Sequence, residues 1–180
     1  MKKNLLLEIE IPEGVEVSIN DSLISVKGSE GENTRDFNTK KINFEKKENK
    51  IMLEAKLATK KEKKIMNSIW AHIKNMIKGV QEKFEYQLKI CFSHFPMTVD
   101  IQGQEAIIKN FLGEKIPRKS KIPKGVEVKI DGQIITVTSS DKEFAGQAAA
   151  NFEKATKIKK RDKRVFQDGI FMTSKAGREI

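Results

Sequence analysis

Cysteine is nearly missing from this chain. Cys91 stands alone among 180 residues, which excludes an internal disulfide framework and suits a reducing compartment. Histidine is almost as scarce. His72 and His94 are the only two, and with a single cysteine they form no metal-ligand spacing. No apolar run approaches the roughly 20 residues a membrane span needs. The opening MKKNLLLEIEIPEG is too short in its apolar part for a signal peptide, and Glu8 and Glu10 interrupt it. It reads as a strand. Phosphate-binding glycine loops and nucleophile elbows do not occur, and the carboxylates fall on turns and strand edges without forming a pair. Cys91, between Ile90 and Phe92, reads as a small hydrophobe, and Trp70 and the methionines at helical spacing read as core. These gaps point away from an enzyme, and no cofactor or metal is expected.

Charge is present in excess. Lysine and arginine outnumber aspartate and glutamate 35 to 25, giving +10 overall, the signature of an anionic partner. The excess is uneven. Residues 1–83 carry +4, residues 84–153 are balanced, and Lys154–Ile180 carries +6. A second basic cluster, Lys115, Arg118, Lys119, Lys121 and Lys124, sits in KIPRKSKIPK, which Pro117 and Pro123 mark as a loop. The C-terminal stretch contains Gly169 and Gly177, few apolar residues, and two aromatics, Phe166 and Phe171. It cannot bury enough apolar surface to fold alone, but it can order along a polyanion as its cations displace counterions.

The rest is written twice. Val15–Val26, Ile42–Ala55, Thr98–Lys109 and Val126–Val137 each show two alternating apolar runs around a turn-former, the pattern of a β-hairpin. Thr59-Lys60-Lys61-Glu62 and Ser140-Asp141-Lys142-Glu143 each read as the capping box of a helix. The boxes lie 81 residues apart and the first and third hairpins 83. Ile65, Met66, Ile69, Trp70, Ile73, Met76, Ile77 and Val80 form the apolar stripe of the first helix, with Gly79 placed to end it. Phe144, Ala145, Ala148, Ala149 and Phe152 form that of the second, whose alanines permit close approach to a sheet. Leu5–Ile11 and Phe84–Ile90 alternate as the opening strand of each unit. The expected fold class is α+β: two tandem similar domains, each an antiparallel β-sheet packed with one main α-helix, plus a basic C-terminal tail. The divisions are 1–83, 84–156 and a tail at 157–180.

With catalysis set aside, binding remains. Arg161, Arg164 and Phe166 offer charge and planar surfaces for RNA, and Gln147 and Asn151 offer amides one helical turn apart on the second helix. Membrane-surface binding would favour a continuous amphipathic helix, which Asp168-Gly169 interrupts.

Several runs carry a resemblance. They include Asn75-Met76-Ile77-Lys78-Gly79-Val80, Ser93-His94-Phe95-Pro96 and Asn110-Phe111-Leu112-Gly113-Glu114-Lys115. Asp141-Lys142-Glu143, Gly146-Gln147-Ala148-Ala149-Ala150-Asn151 and Arg161-Asp162-Lys163-Arg164-Val165-Phe166-Gln167-Asp168-Gly169-Ile170 continue the series and are its specific members. In these the chain resembles the L-six family of large-subunit ribosomal proteins, in its archaeal and eukaryotic form. The resemblance implies two tandem domains, no catalysis, a cytoplasmic ribosome, and attachment to large-subunit rRNA near the factor-binding region, by the sarcin–ricin loop and the stalk base. Neighbouring ribosomal proteins there would be its other partners. Carried over by position, the RNA-binding candidates are Asn110, Gly113, Lys115, Arg118 and Lys119 in the basic loop and Gln147 and Asn151 on the helix. In the tail they are Lys157, Lys159, Lys160, Arg161, Lys163, Arg164, Phe166, Gln167 and Gly169. Removing Lys157–Ile180 should then abolish most RNA binding and leave the fold intact. The competing reading is a protein-interaction adaptor whose paired domains bind acidic partners and whose tail only solubilises.

Overall fold

The first unit, Met1–Lys83, is built of strands, most of them laid down by alternating apolar side chains. In the computed structural model, which describes residues 3–39, 41–162 and 164–180, these are β1 (Lys3–Glu10), β2 (Glu16–Asn20), β3 (Leu23–Gly28), β4 (Gly31–Asp36), β5 (Asn43–Lys47) and β6 (Lys50–Ala58). They pair antiparallel as two three-stranded sheets, β1-β6-β5 and β2-β3-β4. Helix α1 (Lys60–Gln81) starts at Thr59, and Thr59 and Glu62 form the expected capping box. Ile69, Ile73 and Met66 from α1 meet Ile24, Val26, Ile51 and Leu53 in one core. Gly79 does not end the helix but lies buried within it. The Val80 carbonyl is satisfied instead by the Glu30 backbone N–H at 2.9 Å. Gly28 permits that approach, since a Cβ there would stand 2.7 Å from the same oxygen. Trp70 is not core either. It is half-buried at the sheet margin, and its indole N–H donates to the Glu8 carbonyl at 3.2 Å.

The second unit, Phe84–Ile180, repeats the plan with β7 (Phe84–Cys91), β8 (Thr98–Gln102), β9 (Glu105–Lys109), β10 (Arg118–Lys121), β11 (Glu127–Asp131), β12 (Ile134–Ser139) and α2 (Lys142–Ala155). One landmark fixes the equivalence. The Ile11 N–H donates to the Asn49 carbonyl at 2.7 Å, and the Ile90 N–H donates to the Gln133 carbonyl at 2.7 Å. Each opening strand thus docks on the turn of its own second hairpin. The core gathers Leu88, Ile108, Phe111, Ile135, Phe152 and Ile170. Ala145, Ala148 and Ala149 are fully buried, so α2 sits close to its sheet, as its composition predicts.

Three expectations change. Arg118–Lys121 is a strand on β9 rather than loop, because Pro117 and Pro123 bracket it instead of interrupting it. Helix α2 is capped by Asp141, whose carboxylate accepts the Glu143 N–H at 2.8 Å, so it begins one residue later than Ser140. Most consequentially, the C-terminal stretch is no separate tail. Residues Gly169–Lys175 form β13, and Arg178–Glu179 form β14. The five-stranded order is β11-β12-β7-β13-β14. A strand laid on a ready-made sheet edge draws its hydrogen bonds from that edge and needs little apolar surface of its own.

Candidate nucleic-acid interface

The end of α2 and the start of β13 are tied together by short polar contacts. The Thr156 hydroxyl donates to the Phe152 carbonyl at 3.2 Å and accepts the Ile170 N–H at 2.9 Å. The Glu153 carboxylate accepts the Met172 N–H at 3.0 Å. The basic residues 157–167 are therefore a loop held at both ends. Its second anchor is Asp168, 2% exposed. One carboxylate oxygen accepts the backbone N–H groups of Ser93 at 2.8 Å and His94 at 3.2 Å, and the other lies 2.7 Å from His94 Nδ1. Burial pushes the Asp168 carboxyl up. The hydrogen bonds from Ser93 and His94, with the His94 charge, outweigh it and hold the group at about 2. At neutral pH the carboxylate is ionised and the imidazole donates through Nδ1. The same ring stacks on Phe166, centroids 4.9 Å apart, and the Arg161 guanidinium lies 4.8 Å from the Phe166 centroid.

The basic loop is anchored as firmly. Asn110, Leu112 and Gly113 take positive φ values of 58°, 50° and 76°, and the Asn110 amide donates to the Pro96 carbonyl at 2.8 Å. Arg118 grips Glu114 through two hydrogen bonds, at 2.7 and 2.6 Å, and donates a third to the Ala155 carbonyl at the end of α2, at 2.8 Å. Its guanidinium lies 4.3 Å from the Phe111 centroid. The bond from Arg118 is the main reason the Glu114 carboxyl is held below its ordinary range despite some desolvation. The charge of Arg161 adds a smaller part, and the Arg118 bond to Ala155 sets the basic loop against the residue pair that leads into Lys157.

The sequence-predicted residues thus divide by job. Lys115, Lys157, Lys159, Lys160 and Arg161 are exposed cations on this joined surface. Lys119 pairs with Glu105 at 3.0 Å and Arg164 with Asp162 at 2.9 Å. Both are exposed pairs that cost little to exchange for a phosphate. Arg118, Asn110 and Phe166 spend their side chains on contacts within the protein, and Gly113 and Gly169 supply backbone turns at positive φ, so these five shape the surface. Gly169 is buried, and a Cβ on it would meet the Phe171 ring at 3.1 Å. Gln147 donates to the Asn151 side chain, and Asn151 to the Lys121 carbonyl, at 2.7 and 2.8 Å, which fastens α2 to β10. Gln167 reaches back to the Arg164 carbonyl at 3.4 Å. Lys163 lies outside the described residues.

Sequence reasoning passed over Asp168, Ser93 and Thr156, which hold the loop. It also passed over the exposed rings of Phe92, Phe95 and Phe171. A buried acid in a basic run, next to a glycine, was the available signal for Asp168. Beside it opens a cleft of about 890 Å³ lined by Phe92, Lys154, Lys157, Phe166 and Phe171. Cys91 is half-buried on its wall rather than core. Among the described residues no cluster of His, Cys, Asp or Glu could hold a metal, and no helix is long and apolar enough to cross a membrane.

The sequence that builds this surface has relatives among known proteins. The chain is 49% identical over 168 residues to the large ribosomal subunit protein uL6 of Methanobrevibacter smithii, covering 93% of this chain and 94% of that one. It is 45% identical over 173 residues to uL6 of Methanococcus vannielii, covering 96% and 95%. The family described as Ribosomal protein L6 matches at residues 11–83 and again at 95–169, once in each structural unit, and the chain belongs to that family.

Proposed function

We propose that the protein is a structural, non-enzymatic constituent of the large ribosomal subunit, attached to large-subunit rRNA through its second domain. The site on the rRNA is the factor-binding region, by the sarcin–ricin loop and the stalk base, where neighbouring ribosomal proteins complete its contacts. One observation carries the reading. Arg118 bonds the basic loop to the Ala155 carbonyl in the last turn of α2, two residues before the cationic stretch that starts at Lys157. Cations from two segments, the basic loop and the stretch after α2, therefore stand together on a surface fixed from beneath. Lys115, Lys157, Lys159, Lys160 and Arg161 meet phosphates there, and positioning by phosphate outweighs base readout. Lys119 and Arg164 exchange their carboxylate partners for phosphate. Gln147 and Asn151 hold α2 against β10 behind the surface.

The test replaces Lys157, Lys159 and Lys160 together by Glu and measures filter binding to large-subunit rRNA at fixed salt. Loss of at least tenfold in affinity, with an unchanged circular dichroism spectrum, is expected. A variant that binds as tightly as the parent overturns the assignment.

A further inference from the structure

The two units differ in one respect that their repeat makes legible. In the second, β7 lies between β12 and β13. In the first, the equivalent strand β1 pairs with β6 on one side, and among the described residues no strand covers its other edge. Side chains record the difference. Phe84, Tyr86, Leu88 and Ile90 of β7 are all buried. Their counterparts Leu5, Leu7 and Ile11 are only half-buried, and Ile9 alone is buried. Trp70 on α1, whose indole reaches the β1 backbone, is only half-buried. Leu6, on the far face of β1, is 51% exposed. An uncovered apolar edge strand is a template for pairing.

We propose that the outer edge of β1 takes an extended basic segment of a second protein as an antiparallel strand, in the position that β13 occupies on β7. This builds on the ribosomal reading above. The geometry of the edge fits. The Ile11 N–H points to the β6 side, so by alternation the backbone groups of Leu6, Glu8 and Glu10 point outward. The Glu8 carbonyl is held by the Trp70 indole, and the equivalent Gln87 carbonyl on β7 by the Thr173 hydroxyl at 3.1 Å. In both units that oxygen belongs to a side chain, so the strand on β7 pairs around it, as at Phe171 against Lys89. Glu10 is the residue equivalent to Lys89.

Charge selects the partner. In a chain of net +10, the far face of this edge carries Glu8 and Glu10, with Glu54 opposite Leu6 on β6. Lys50 bridges to Glu8 at 3.1 Å, and Lys47, opposite Lys50 on β5, lies 4.0 Å from Glu45. Carboxylates repel a phosphate backbone and attract Lys and Arg. The incoming strand therefore alternates, with apolar residues toward α1 and basic residues toward Glu8 and Glu10.

The experiment places a benzophenone-bearing amino acid at Leu6 of the full chain, assembles it into large subunits, and sequences the photoproduct. A crosslink to a protein segment that alternates apolar residues with Lys or Arg is expected. Glu10→Pro removes one outward amide that β6 does not use, and should lower the yield at least fivefold. The pair Glu8→Lys and Glu10→Lys should do the same by charge. Fluorescence of Trp70, the only tryptophan, checks that the first unit still folds. Crosslinks to rRNA, no crosslink, or a yield that neither variant lowers overturns the inference while the ribosomal reading stands. A parent chain that fails to sediment with large subunits overturns both.

Discussion

At the scale of single residues, the interface depends on a carboxylate that touches no cation of the basic loop. Asp168 is buried and ionised because backbone and imidazole donors surround it, so its folded pKa of about 2 lies below the ordinary carboxylate value near 3.9. A depressed pKa means that the unfolded chain binds the proton more readily. The stabilisation is therefore fully present above about pH 5 and fades as pH falls toward 2. Asp168→Asn keeps the shape and removes the charge, and should cost about 2 kcal/mol at pH 7. Urea denaturation of parent and variant, repeated down to pH 3, should show the gap narrowing. A gap that stays constant with pH would contradict the assignment. Arg118 makes a second such case. Its guanidinium bonds Glu114 and the last turn of α2 while packing on Phe111. Arg118→Lys keeps the charge and loses the fork. It should weaken rRNA binding several-fold by releasing the loop, while the salt slope stays where it was. A merely electrostatic Arg118 would tolerate lysine.

At the scale of elements, the decisive one is β13. It supplies Ile170 to the core and pairs along β7 from Cys91 to Tyr86. A chain ending at Thr156 should therefore lose the second domain's fold along with its RNA binding, whereas one ending at Lys175 keeps β13 and should keep both. Proton NMR dispersion of the Ile135 and Phe152 signals distinguishes them, and a folded chain lacking residues 157–180 would refute the prediction. This reverses the expectation drawn from sequence, for a physical reason. The hairpins and the two helices were legible because each carries its own period and turn residues. Val126–Val137 announces itself through Asp131-Gly132 without reference to anything else. Gly169–Lys175 has no such local signature. Its hydrogen bonds come from β7, 78 to 89 residues earlier in the chain, and a non-local pairing leaves only a faint trace in its own residues. The candidate site divides in the same way. Lys157, Lys159 and Lys160 could be read directly as exposed charge. That Arg118 and Phe166 are spent on holding the surface together depends on contacts with Ala155 and His94 that no local pattern encodes.

At the scale of the whole molecule, net charge overstates the interface. Of the +10, residues 1–83 carry +4, including Lys60, Lys61 and Lys64, which lie exposed on the first turns of α1. If charge alone governed attachment, these would serve as well as Lys157, Lys159 and Lys160. The two sets differ in setting. The α1 lysines stand around a capping glutamate on the solvent side of a helix whose opposite face packs on the first core. The second set stands beside exposed aromatic rings on a surface fixed by Arg118 and Asp168. Each phosphate contact adds roughly 0.7 to 0.9 to the slope of log affinity against log salt. Neutralising Lys157, Lys159 and Lys160 to alanine should therefore reduce that slope by about 2 to 3. Neutralising Lys60, Lys61 and Lys64 should leave it unchanged within error, although both variants lose the same formal charge. Equal reductions in the two variants would mean that rRNA reads the protein as a diffuse polycation. A reduction confined to the second set would mean that it reads a built surface.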